Sequence, residues 1–131
     1  MNFKYAFLGI LITGLIVYMS SIPDKSMWGF GSMGEQIVTN LAHIPAYALL
    51  TFLWLNSFAG AEHKPLSIPI MSILACMTLF AISDEIHQSF VPGRSASLID
   101  IVLDLLGILA GLAVFKFLGR LKLFRRREET S

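Results

Sequence analysis

Charge is what this sequence has least of. Only 15% of its 131 residues are Asp, Glu, Lys or Arg, against roughly 25% in a typical soluble protein. A chain this short has a high surface-to-volume ratio and needs polar surface if its solvent is water. Cysteine is nearly absent too: Cys76 stands alone, which excludes a disulfide scaffold and leaves the redox compartment undecided. Ten basic residues against nine acidic ones give a net charge of +1, which is not the composition of a nucleic-acid binder. The chain also lacks a phosphate-cradling glycine loop, a dinucleotide fingerprint, a nucleophile elbow and an H-E-x-x-H motif. What it has in abundance is apolar: 55% of residues are hydrophobic and mean hydropathy is +0.69. A disordered chain cannot have that composition. The reading is an integral membrane protein in contact with a lipid bilayer.

Four apolar segments carry the hydrophobic residues, at about 5–22, 37–58, 67–90 and 98–118. Each has the length of a helix that crosses a hydrocarbon core of about 30 Å. Irregular backbone cannot face lipid, so the segments read as helices of an all-α four-helix bundle forming one domain. The first segment has a signal peptide as its rival, but it is long, and Tyr18-Met19-Ser20-Ser21-Ile22-Pro23 has no small-x-small cleavage site. A retained helix is therefore expected. Orientation follows from basic residues near the helix ends. Lys4, Lys64, Arg120, Lys122, Arg125, Arg126 and Arg127 fall on one side, and Lys25 and Arg94 on the other. Lys116 can snorkel toward the richer side. Seven against two places both termini in the cytoplasm, with 119–131 as a basic tail that anchors the topology.

Ionisable groups inside membrane spans are expensive, so each asks for a reason. Here they do not scatter. His43 sits near the start of the second span, Asp84, Glu85, His87 and Gln88 in the last turns of the third, and Asp100 and Asp104 in the first turns of the fourth. Arg94 lies in the connection between the third and fourth. All of these converge on the outer half of the expected bundle. Gln36, Asn40, His43, Tyr47 and Thr51 form one helical stripe, as do Asp100, Asp104, Gly107 and Gly111. Gly107-x-x-x-Gly111 is a close-packing pattern for membrane helices, so it turns the face bearing both acids toward other helices.

Singly, each polar residue has a routine explanation. An acid at a helix N-terminus meets the helix dipole, an interior histidine is more often hydrogen-bonded than catalytic, and Pro92-Gly93 is an ordinary turn dipeptide. Five or six such groups at one depth on three helices exceed what packing needs. Three chemistries are open. His43 could pair with Asp84 or Glu85 as an acid/base site, a carboxylate fixing the imidazole tautomer, while Arg94 holds a phosphate or carboxylate through its planar fork. His43, Asp84, Glu85, Asp100 and Asp104 could instead ligate a divalent metal such as Zn²⁺, Mn²⁺ or Mg²⁺. An ion- or proton-coupled path ranks below these, because the inner halves of the spans hold little beyond Thr13, Thr51, Ser72 and Cys76.

Three segments then carry a resemblance. They are Asn40-Leu41-Ala42-His43-Ile44-Pro45-Ala46-Tyr47, the run from Asp84 through Gln88 and Phe90 to Pro92-Gly93-Arg94, and Ser97 through Asp100 and Asp104 to Gly107. The chain resembles the VanZ-like family of small bacterial membrane proteins from Ser20 to Gly111. That family has His-x-x-x-Tyr in its second helix, Glu-x-x-Gln-x-Phe and Pro-Gly-Arg after its third, and Asp near the start of its fourth. The resemblance carries over His43, Tyr47, Glu85, Gln88, Arg94 and Asp100. Two departures stand out: Asn40 replaces a frequent Lys, and Asp104 replaces a frequent Asn, which makes the cluster more negative.

The family is named for a protein associated with resistance to the glycopeptide teicoplanin. What the resemblance implies is a bacterial envelope setting in the plasma membrane, with glycopeptide resistance as one association, rather than a particular reaction. The combined expectation is an outward-facing polar pocket for an amphiphilic anionic envelope molecule, a lipid-linked precursor or a phospholipid headgroup. His43, Asp84, Glu85 and Asp100 are the candidate catalytic groups, and Asn40, Tyr47, Gln88, Arg94 and Asp104 the candidate binding groups. The rival is a non-enzymatic protein whose polar cluster fastens the helices or docks a partner.

Overall fold

The computed structural model describes residues 1–23, 32–58, 68–94 and 96–128, with side chains left out at 32–39, 122–124 and 126–128. The described residues form four helices: α1 Phe3–Ser20, α2 Ser32–Phe58, α3 Ile68–Ser89 and α4 Leu98–Glu128. Within them lie four stretches long and apolar enough to cross a membrane, namely Phe3–Ser20, Asn40–Phe58, Ile68–Ser89 and Leu98–Leu121. Of the expected features, Lys25, Lys64 and the Gln36 side chain lie outside the described residues, as do the side chains of Lys122, Arg126 and Arg127.

Two helices exceed the lengths expected from hydropathy. α2 begins at Ser32 rather than near Ile37, and α4 runs through the basic segment to Glu128 rather than ending near Leu118. The physical reason is that hydropathy marks where lipid ends, not where a helix must. Lys, Arg, Leu and Glu are good helix formers, so the last turns of α4 continue into polar surroundings. α1 stops where its sequence says it should. Ser21 caps it with its backbone N–H on the Val17 and Tyr18 carbonyls, and Pro23 follows, which cannot continue a helix.

The helices alternate in direction. Asn2 N–H donates to the Ser57 carbonyl at 2.8 Å, so the start of α1 meets the end of α2. A Cβ placed on Gly107 would lie 2.6 Å from the Ile44 carbonyl oxygen and 2.9 Å from Tyr47 Cβ, and one on Gly111 would collide with the Ala48 carbonyl and meet Thr51 Cβ at 3.0 Å. The two glycines therefore let α4 lie directly on the α2 backbone. Successive positions match in the same order, so α2 and α4 run parallel. Consequently the start of α1 and the end of α4 share one end of the bundle.

The core is apolar and narrow. Tyr47, Leu50, Leu55, Ile70, Ile73, Met77, Ala81, Ile108 and Phe115 form it. Outward-facing Phe7, Leu11, Leu15, Leu79, Leu109 and Phe117 are exposed, a surface that water would penalise and lipid accepts. α1 is the least enclosed helix, with Ala6, Gly9 and Ser20 its buried residues. The chain is a multi-pass membrane protein.

Candidate functional site

The polar residues of the spans collect at the end of the bundle where α1 and α3 finish and α2 and α4 start. α3 ends in a tight reversal: Val91 N–H bonds the Gln88 carbonyl, Arg94 N–H bonds the Val91 carbonyl, and Gly93 takes φ 83°, which a side chain would oppose. The chain then reaches Ser97, which caps α4 through its Oγ, the acceptor for Ile99 N–H at 3.2 Å. The short connection brings the last turns of α3 beside the first turns of α4.

Two groups form there. In the first, Ser20 Oγ donates to Asp84 Oδ2 at 2.8 Å, and Gln88 Nε2 donates to the same oxygen at 3.1 Å and to Ser20 Oγ at 3.3 Å. Arg94 donates to Gln88 Oε1 at 2.9 Å. The network joins α1, α3 and the connecting loop, and neither Asp84 nor Gln88 has a buried side-chain atom without a partner.

The second group joins α2, α3 and α4. His43 Nδ1 and Asp104 Oδ1 are 2.8 Å apart, with Asp104 wholly buried. Beside a carboxylate, Nδ1 carries the proton, which leaves Nε2 with its lone pair. Glu85, 2% exposed, accepts the Ser97 backbone N–H on Oε2 at 2.8 Å. Its Oε1 and Asp104 Oδ2 have no partner among the described residues, nor does the Tyr47 hydroxyl. His43, Glu85 and Asp104 each offer a donor atom within 4.8 Å of the others. Tyr47 lies one turn along α2, its ring parallel to that of His43 with centroids 6.5 Å apart, and it packs on Phe80 of α3.

The predicted residues thus gather at one end but divide by partner. His43 pairs with Asp104 rather than with Asp84 or Glu85. Asp84 turns to α1, and Glu85 to the start of α4. Asp100 is buried one turn before Asp104, and Asn40 lies one turn before His43; both are engaged in interactions of their own. Arg94 is half-buried, held by Gln88. His87 is exposed and sits 2.9 Å from Ser21 Oγ, apart from both groups.

Sequence reasoning missed Ser20 and Ser97. Ser20 was legible as a small polar residue closing an apolar run, and Ser97 as a helix cap preceding Asp100, but neither pattern names its partner. Among the described residues, the other half of the bundle has no comparable cluster of ionisable groups. There Thr13, Asn56 and Ser57 bond carbonyls of their own helices, the ordinary way to satisfy such groups in lipid. An apolar cleft of about 390 Å³ opens between Trp54 and Phe58 of α2 and Pro69, Cys76 and Met77 of α3, away from the polar groups.

Comparison with curated proteins and with solved structures gave no match. The sequence pattern that defines the VanZ/LLP1 family matches residues 5–119, a stretch that contains both polar groups and all but the outermost two residues of the first and last membrane-spanning candidates, and the chain belongs to that family.

Proposed function

We propose that this protein binds or processes an amphiphilic anionic molecule of the bacterial envelope, with a phosphate-bearing headgroup of a lipid-linked precursor or phospholipid at the polar end of the bundle. In this reading both termini are cytoplasmic, the polar end faces outward, and the membrane is the bacterial plasma membrane. The observation that carries the proposal is the His43–Asp104 pair beside the unpartnered oxygen of Glu85. Packing alone gives no reason to bury carboxylate oxygens without donors. An imidazole held by a buried carboxylate is the arrangement that fixes a tautomer for proton transfer. Arg94, at the rim and tied by one of its nitrogens, keeps other N–H groups for an anion.

The experiment is reconstitution of the full chain in vesicles of stated headgroup, with headgroup binding and release both measured. His43→Ala, Glu85→Gln and Arg94→Gln should each reduce them in protein that remains folded. Unchanged binding and release in all three overturns the proposal. Reporter fusions at the tail and in the 91–97 loop test the orientation; an exterior tail would put the site on the cytoplasmic face. The Ser20–Asp84–Gln88–Arg94 network supports a second reading, in which the polar end fastens the helices together. Under that reading the same variants lose stability and nothing else.

A further inference from the structure

We propose that His43, Glu85 and Asp104 are the protein ligands of one divalent transition-metal ion, of the Zn²⁺ or Mn²⁺ class. Three helices each contribute one ligand, His43 from α2, Glu85 from α3 and Asp104 from α4, and the donor atoms lie within 4.8 Å of one another. Metal centres in helical bundles are built this way, from side chains on facing helices. His43 Nδ1 and Asp104 Oδ1 lie 2.8 Å apart, near the roughly 3 Å expected between adjacent ligand atoms that each sit about 2.1 Å from a metal, so an ion taken up there replaces the proton that the two atoms share.

The second observation is independent of proximity. Glu85 Oε1 and Asp104 Oδ2 are buried acceptors with no partner among the described residues, on side chains 2% and 0% exposed. Their other oxygens are engaged, by Ser97 N–H and by His43, so both carboxylates are held in place with one lone-pair face left over. A single water or proton satisfies part of that set. A cation accepts lone pairs from all three groups at once.

Charge points the same way. Asp84, Glu85, Asp100 and Asp104 are all buried at this end, and Arg94 is the fixed cation among the described side chains there. Surplus buried negative charge is strongly unfavourable unless compensated. One imidazole and two carboxylates suit Zn²⁺ or Mn²⁺; Ca²⁺ takes more oxygens and no imidazole. Three protein ligands also leave positions open. What would occupy them rests on the functional reading above: a phosphate oxygen of the headgroup or a water.

The test uses the untagged full chain in detergent, stripped with chelator and re-equilibrated with Zn²⁺ or Mn²⁺. We expect one ion per chain by elemental analysis. The bound Mn²⁺ should show coupling to an imidazole nitrogen in pulsed electron paramagnetic resonance. Glu85→Gln, Asp104→Asn and His43→Ala should each weaken affinity by more than the roughly 10- to 100-fold that loss of a mere outer-shell partner costs. Cys76→Ser, which removes the exposed free thiol, should leave uptake unchanged. Failure of the wild-type chain to hold a stoichiometric ion overturns the site, as does absence of nitrogen coupling, which needs no variant to fold. Retention of full affinity by both Glu85→Gln and Asp104→Asn also overturns it. Headgroup binding by chain that takes up no metal removes the metal site and leaves the functional reading standing. One ion per chain with no headgroup binding supports the metal site and removes that reading.

Discussion

Asp84 and Glu85 are neighbours in sequence and nearly free of solvent alike, yet the bundle uses them in opposite ways. Asp84 looks to α1, where one of its oxygens takes both a serine hydroxyl and a glutamine amide. Glu85, about 100° further round the helix, looks to α4, takes one backbone N–H and leaves its other oxygen bare. The first environment is closed around Asp84: no buried side-chain atom of Asp84 or Gln88 lacks a partner. The second is open, and it continues through His43 to Asp104 with a second bare oxygen. A closed network is what a fastener between helices needs. An open one is tolerated inside a membrane protein when something other than polypeptide completes it.

The largest expected effect separates the two directly. His43→Ala should lower headgroup turnover in vesicles by about 10²- to 10⁴-fold, the usual range for a proton-transfer group. Melting in detergent should fall as well, because the buried Asp104 carboxylate loses its His43 partner, so turnover is measured per folded chain. A variant whose folded fraction keeps the parental turnover would move His43 to the fastening side of the comparison. Next in size is Gly107→Ala. The added Cβ would sit 2.6 Å from a backbone carbonyl on α2, an obstacle that cannot rotate away, so destabilisation of about 3 kcal/mol is expected. The His43–Asp104 pair bridges the same two helices, so unfolding measured by circular dichroism should come at lower denaturant, with headgroup binding weakened as well.

Why the sequence revealed the site but not its pairing follows from the same contact. Apolar runs are local, so the four membrane-crossing segments were readable to within a few residues. The convergence of His43, Glu85, Asp100 and Asp104 on one end needed only antiparallel succession of the helices. Pairing needed the register of α2 on α4, which are distant in sequence and run parallel. The Gly107–Gly111 pattern announces a close face on α4 without saying which helix covers it. With Gly107 against Ile44 and Tyr47, Asp104 falls one turn earlier, level with His43; a slip of one turn would have brought Asp100 there instead. The partner of Asp84 was hidden for a similar reason, since nothing in α1 short of three-dimensional packing singles out Ser20. The helical ends of α2 and α4 were missed because hydropathy reports solvent rather than backbone conformation.

A smaller effect is expected on the closed side. Asp84→Ala strips the acceptor from Ser20 Oγ and Gln88 Nε2, and buried donors left bare are costly. Hydrogen bonds between membrane helices are individually modest because the unfolded chain also finds partners, so the loss should be about 1–2 kcal/mol, measured by denaturation in micelles. Metal affinity should move far less than in Glu85→Gln. If Asp84→Ala instead abolishes ion uptake while the chain stays folded, the two acids belong to one site and the comparison fails.

The smallest effect carries a sign rather than a size. Asp104→Asn keeps the shape of the side chain, and an amide oxygen can still accept the His43 Nδ1–H bond. It removes a buried negative charge that has one oxygen without a donor. With the ion stripped, that charge is a burden on the folded state, so the variant should equal or exceed the parent in stability, by less than about 1 kcal/mol. With saturating Zn²⁺ the order should reverse, because an ion that binds only the folded protein stabilises it, and the parent binds more tightly. Paired melts with and without metal read both halves. The same order under both conditions would place Asp104 with Asp84, as a residue kept for packing, whereas inversion on adding metal marks it as a residue kept for what it binds.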